Sequence, residues 1–188
     1  QKIKPMVGDN VKIDIMDEAE KMGNIVSILP RLNALIRPTV SNIDQALIIF
    51  AVAEQKPNFG LLDLFLVMMA LQHIQTVICF NKKDIGSAAE TKILSETYAG
   101  CGCPVLFASV KEESGIDAVR EVLLGRTTVL AGPSGVGKSS LMNLLNPKAR
   151  METGAISEKI KRGRHTTRHS EIFYLGSDSY LMDTPGFT

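Results

Sequence analysis

The run GPSGVGKSS at 132–140 has the spacing of a phosphate cradle. Gly132, Gly137, Lys138 and Ser139 match the pattern G-x-x-x-x-G-K-[ST]. Glycines there let successive backbone N–H groups turn inward around phosphate oxygens, and the N-terminus of a following helix adds positive potential. Lys138 supplies a point charge, and the Ser139 hydroxyl can ligate Mg²⁺. A second constellation is Asn81-Lys82-Lys83-Asp84. An aspartate accepting two hydrogen bonds suits guanine, which offers N1–H and N2–H₂, whereas adenine offers no such donor pair. Asn81 can meet guanine O6/N7 or tie neighbouring loops, and the Lys82 stem can cover the ring face.

Three further segments gain meaning beside these two. Asp183-Thr184-Pro185-Gly186 is a D-x-x-G turn. Asp183 can hold a Mg²⁺-bound water, and the Gly186 N–H can reach a γ-phosphate with no side chain in the way. Ser109-Val110-Lys111 offers a backbone N–H and a small residue near a base. The segment 159–169, KIKRGRHTTRH, holds five Lys/Arg and two His with no acid. Thr166 or Thr167 in it could close on Mg²⁺ and a γ-phosphate, and its cations could grip phosphates of the nucleotide or of RNA.

Such residues need elements to aim them. From residue 42 onward, apolar runs of strand length alternate with runs of helix length. Strands are expected at 45–53, 76–80, 104–108, 127–131, 172–175 and 180–182, and helices at 61–73, 88–99, 116–124 and 138–145. Strands apolar on both faces, joined by crossover helices, give a mostly parallel α/β sheet with helices on both faces. Each motif then follows its own strand. Residues 1–38 read differently. VGDNVKIDI alternates, with Val7, Val11, Ile13 and Ile15 on one face of a half-buried strand, and GNIVSIL is a second strand. Two strands alone are not stable in water, so this unit is expected to be part of a β-barrel. The expected boundary falls at 38/39.

Composition narrows the classes. The chain of 188 residues is 45% apolar and 22% charged, which excludes a disordered or collagen-like chain. A net charge of +1 means that nucleic-acid binding must rest on local patches. No apolar run reaches the length of a membrane span, so no membrane partner is expected. Three cysteines, Cys79, Cys101 and Cys103, form no even disulfide framework and point to a reducing compartment. Cys101 and Cys103 lack a second ligand pair at metal spacing and read as free thiols.

The nucleotide motifs are those of a Ras-type GTPase in another order. There the P-loop comes first, then the switch Thr, DxxG, NKxD and the S-x-K element. Here NKKD and SVK precede the P-loop, and HTT and DTPG come last. A circularly permuted chain forms the same site, because each motif keeps its strand. With a small β unit in front, this order resembles the RsgA (YjeQ) family of bacterial ribosome-biogenesis GTPases. ILPRLNALIRPTVSNIDQALIIFA resembles that family's link into the GTPase domain, and GAISEKIKRGRHTTRH its switch I. The resemblance implies a partial OB-fold at 1–38, which binds RNA, and a permuted GTPase domain at 39–188. It implies GTP hydrolysis, binding of the small ribosomal subunit and its rRNA, and late subunit maturation in the bacterial cytoplasm, with a monomer expected. It also implies a zinc domain, expected outside this chain, which stops just past DTPG and opens without an initiator Met.

Carried over residue by residue, the resemblance has Gly132, Pro133, Ser134, Gly135, Val136, Gly137, Lys138, Ser139 and Ser140 hold phosphates. Asn81, Lys82, Lys83 and Asp84 read guanine, with Ser109, Val110 and Lys111 beside it. Ser139, Thr167 and Asp183 serve Mg²⁺. Lys138, Thr167 and Gly186 address the γ-phosphate. Phe187 stands where Ras-type enzymes carry the water-orienting Gln, which leaves His165 as the polar candidate for that task. Lys161, Arg162, Arg164 and Arg168 are the RNA candidates. Two alternatives differ in class. One is an rRNA-binding module in which GTP is a structural ligand. The other is a guanylate-kinase-like enzyme, which would leave NKKD and DTPG without a role.

Overall fold

The structure, a computed structural model, describes residues 4–20, 22–36, 39–53, 57–146 and 170–183. Strands β1 (Val11–Asp17) and β2 (Met22–Ile28) form an antiparallel ribbon, and β3 (Ala34–Leu35) and β4 (Val40–Ser41) a second short pair. Then follow β5 (Gln45–Ala51), α1 (Phe59–Leu71), β6 (Gln75–Asn81), α2 (Ala88–Tyr98), β7 (Val105–Phe107), α3 (Ile116–Leu123), β8 (Thr127–Ala131), α4 (Lys138–Leu145), β9 (Glu171–Gly176) and β10 (Ser179–Asp183). The main sheet runs β7-β6-β5-β8-β10-β9 and is parallel except for the edge strand β9, which pairs antiparallel with β10.

Local sequence sets these elements. Asn58 caps α1 by accepting from the Leu61 N–H, and Ser87 and Glu90 form a reciprocal capping box on α2. All seven residues of β5 are buried: six are apolar, and the Gln45 amide donates to the Val122 carbonyl and the Thr128 hydroxyl. Its odd residues Leu47, Ile49 and Ala51 face α3 and α4, packing with Val119, Leu123, Leu141 and Met142. Its even neighbours Ile48 and Phe50 face α1 and α2, packing with Leu62, Phe65, Leu94 and Tyr98. The period-2 alternation of a strand thus fills two cores at once.

The order of strands explains where a ligand can sit. From β5 the chain steps outward through β6 to β7. It then returns across the sheet to β8, on the other side of β5. The carboxyl ends of β5, β6, β8 and β10 share one edge, and a crevice opens where the winding reverses.

The N-terminal part departs from the alternating-strand reading. Val7 is not in β1; it bridges to Val40 and packs on the main-sheet core. Ile13 is 56% exposed and Ile15 62%, so β1 is not half-buried. Alternation set the strand correctly, but among the described residues no layer covers that face of the ribbon. Leu35 and Val40 are buried with Ala46, Met69, Val129 and Met182. Asp9 anchors this region: Arg31 Nε and Nη2 donate to its two carboxylate oxygens at 2.6 and 2.8 Å, and Ser41 Oγ donates at 2.7 Å. Among the described residues, no helix is long and apolar enough to cross a membrane.

Candidate nucleotide-binding site

Asn81 is the last residue of β6 and is only 3% exposed. Its Nδ2 donates to the Val136 carbonyl at 2.8 Å, and its Oδ1 accepts from the Val110 N–H at 3.1 Å. Of the two roles open to Asn81, the geometry selects the tie between loops. It joins the phosphate loop to the SVK loop, 55 and 29 residues away along the chain. Gly137 makes the close approach possible. At φ +97° it lies in the left-handed region, and a Cβ there would strike the Asn81 side-chain nitrogen.

Lys82 follows in the left-handed conformation, φ 62° and ψ 35°. A non-glycine residue there carries strain of order 1–2 kcal/mol, the kind that accumulates at ligand clamps. The turn continues as a 3-10 helix, Lys83–Ile85, which brings Asp84 back over the crevice. Ser109, fully buried, donates its hydroxyl to Asp84 Oδ1 at 2.6 Å and accepts from the Glu112 N–H at 3.1 Å. The Ser109 hydrogen bond holds the Asp84 carboxyl below its ordinary range despite the opposing cost of burial, and Lys111 and Lys82 add positive charge. Asp84 is therefore an ionised, oriented acceptor at neutral pH.

On the other side of the crevice, β8 ends at Ala131 and α4 begins at Lys138. Gly132 has φ +143°, and a Cβ there would strike the Ile49 carbonyl of the neighbouring strand. Ser134 and Gly135 form the exposed tip of the loop, Pro133 is half-buried, and Val136 anchors the loop in the core. Lys138 Nζ donates to the Gly132 and Pro133 carbonyls, both at 2.7 Å, so its ammonium is held inside the loop's own ring. Burial pushes its pKa down, and Asp183 opposes that shift. Asp183, at the end of β10, lies within electrostatic reach of the Lys138 ammonium, and Ser139 follows Lys138 in the first turn of α4, so a carboxylate and a hydroxyl are available there. These are hard oxygen donors of the kind Mg²⁺ takes.

Asn81, Lys82, Asp84 and Ile85 line one side of a cavity of about 270 Å³, Val110 and Lys111 close a second, and Gly137 and Ser140 the third. Three sequence motifs far apart in the chain thus wall one cavity. Lys83 does not line it; its side chain borders a separate groove beside Gly86 and Thr91 of the α2 side. Ser109 acts from behind, through Asp84. Ile85 is the lining residue that motif reasoning missed; the signal was its place one residue after Asp84 in a tight turn. His165, Thr166, Thr167, Gly186, Phe187, Lys161, Arg162, Arg164 and Arg168 lie outside the described residues.

The profile of the RsgA GTPase family matches residues 28–188. The chain belongs to the RsgA GTPase family. It is 57% identical over 188 residues to the small ribosomal subunit biogenesis GTPase RsgA of Agathobacter rectalis, and 45% identical to that of Alkaliphilus metalliredigens. Those matches cover all of this chain but 62% and 64% of the relatives, so the chain spans somewhat less than two thirds of their length. Among solved structures it is similar to YjeQ from Thermotoga maritima, with a TM-score of 0.81 at 31% identity, covering all of this chain and 63% of that one. It is also similar to YloQ, described as a circularly permuted GTPase, with a TM-score of 0.73 at 34% identity, covering all of this chain and 59% of the other. The RsgA fold accounts for the motif order: the permuted chain enters the sheet at β5, in its middle, and still brings NKKD, SVK, the phosphate loop and Asp183 to the same edge.

Proposed function

We propose that this chain binds guanine nucleotides with Mg²⁺ and, in its whole protein, hydrolyses GTP to GDP and phosphate during late maturation of the small ribosomal subunit. The observation that carries the reading is the shared cavity: an ionised Asp84, fixed by Ser109, faces the same space as the phosphate loop. Asp84 would accept from guanine N1–H and N2–H₂, and the Lys82 stem would cover the ring. The loop N–H groups and the start of α4 would hold the phosphates. Lys138, now on its own loop carbonyls, would exchange them for phosphate oxygens. Ser139 would ligate Mg²⁺, with Thr167, while Asp183 would hold one of the metal's waters. The bound ion neutralises charge developing on the phosphate oxygens. The Gly186 N–H would contact the γ-phosphate, and His165 would orient the attacking water in place of the Gln that Phe187 replaces.

The curated relatives are named for small-subunit biogenesis, which supports the subunit as partner. Lys161, Arg162, Arg164 and Arg168 would grip rRNA phosphates, and the residues up to 38 would contribute an RNA-binding OB-fold. A cytoplasmic monomer without a membrane partner completes the reading, and zinc is assigned to no residue of this chain. The test is phosphate release by the full chain, with and without small subunits. Slow release that subunits raise, with His165→Ala lowering the raised rate far more than GTP affinity, supports hydrolysis. Absence of release in both conditions would leave GTP a structural ligand.

A further inference from the structure

Cys101 and Cys103 flank Gly102 in the turn between α2 and β7. Gly102 has φ +74°, a left-handed bend that folds its two neighbours toward each other. The Cys101 thiol reaches the Cys103 carbonyl at 3.8 Å, and the Cys103 thiol reaches the Cys101 carbonyl at 3.8 Å. The two thiols are thus held close, and the Cys101 side chain is in contact with that of Cys103. The turn is pinned at both ends: the Cys101 N–H donates to the Tyr98 carbonyl at 3.2 Å, and the Pro104 carbonyl accepts from the Ile78 N–H at 2.9 Å. Cys101 is exposed and Cys103 half-buried, and both border an open groove of about 450 Å³ whose floor includes Leu66, Val67 and Ala70 of α1. Cys79, by contrast, is buried within β6.

We propose that Cys101 and Cys103 form a dithiol modification site that exchanges with low-molecular-weight disulfides and closes into an intraloop disulfide. The exposed Cys101 thiolate attacks one sulfur of the small disulfide. A mixed disulfide forms, the first small thiolate leaves, and the proton lost by Cys101 goes to it. Cys103, already beside the Cys101 sulfur, then attacks that sulfur and displaces the second small thiolate, which takes the Cys103 proton. The protein loses two hydrogens and two electrons, and the small disulfide is reduced to two thiols. The order of attack follows from exposure, Cys101 being open to solvent and Cys103 half-buried. Burial and the neighbouring Cys101 push Cys103 up to about 11, so it suits the second step, after Cys101 no longer carries charge. Burial alone pushes Cys79 up to about 12, which keeps it out of the exchange. A disulfide across a single residue is strained and exposed, and such bonds are readily reversible.

The test exposes the full chain to glutathione disulfide, alkylates the remaining thiols and locates each modification by mass spectrometry. The parent should lose two hydrogens at Cys101–Cys103, with Cys79 alkylated as a free thiol. Cys103→Ser should instead accumulate glutathione on Cys101, and Cys101→Ser should lose nearly all modification at 103. A parent that keeps glutathione on Cys101 while Cys103 remains free would overturn the ring closure. Reaction of Cys79 as fast as Cys101 would overturn the site, because the thiols would then react only through opening of the fold. Neither outcome depends on nucleotide binding, so the proposal fails or stands apart from the GTPase reading.

Discussion

Replacing Asn81 by alanine tests the idea that this residue ties the site together. The substitution removes two hydrogen bonds, to the Val136 carbonyl at 2.8 Å and from the Val110 N–H at 3.1 Å. The first is fully buried and the second partly so. Each buried group left without a partner costs about 1–3 kcal/mol, so the pair should cost about 2–4 kcal/mol. In a chain of this size each kcal/mol moves the melting temperature by about 2–4 °C, which gives a fall of roughly 5–15 °C. The assay is thermal unfolding of the nucleotide-free protein, followed by titration with GDP. The loss of stability should be present before any nucleotide is added, and GDP affinity should fall as well, because the two loops are no longer held in register. A nucleotide-free melting temperature unchanged within about 2 °C, with GDP affinity still reduced, would refute the tie and return Asn81 to reading the base.

Other outcomes follow from the same geometry. Gly137→Ala should abolish nucleotide binding and lower stability, since a Cβ at φ +97° strikes the Asn81 side chain; a variant that binds GDP like the parent in a titration would contradict the close packing. Asp84→Asn replaces an acceptor with a donor, so preference should move from guanine toward xanthine nucleotides, with about 1.5–3 kcal/mol lost per charge-assisted bond to GDP. Asp9 is held well below its ordinary range, chiefly by the Arg31 hydrogen bonds. Its contribution is then present above the unfolded carboxylate pKa of about 4 and lost as pH falls below it. Asp9→Asn should cost about 2–3 kcal/mol in urea unfolding at pH 7, and the gap to the parent should narrow steadily below about pH 4.

Much of this architecture was legible from residue order. β5 through β10 and α1 through α4 stand where the apolar runs of strand and helix length put them, because that signal is local. The two-residue strands β3 and β4 were not legible, since two residues carry no periodicity. Alternation along β1 showed a strand but not its exposure, because burial depends on what lies across from it. In the site, the motif residues Asp84 and Gly137 line one cavity. Whether Asn81 faced base or backbone depended on a 2.8 Å contact to Val136, which only the folding of β6 against the phosphate loop could decide. Lys83 belonged to the motif by spacing, but the tight turn after β6 points it to another groove.

The proposed function rests on guanine selection by the cavity between Asp84 and the phosphate loop. The direct measurement is competition for a fluorescent GDP analogue on the full chain, with GDP and ADP as competitors, with and without Mg²⁺. GDP should displace the analogue, more strongly with Mg²⁺, and ADP should not do so to a comparable extent. Equal displacement by the two nucleotides would contradict guanine selection.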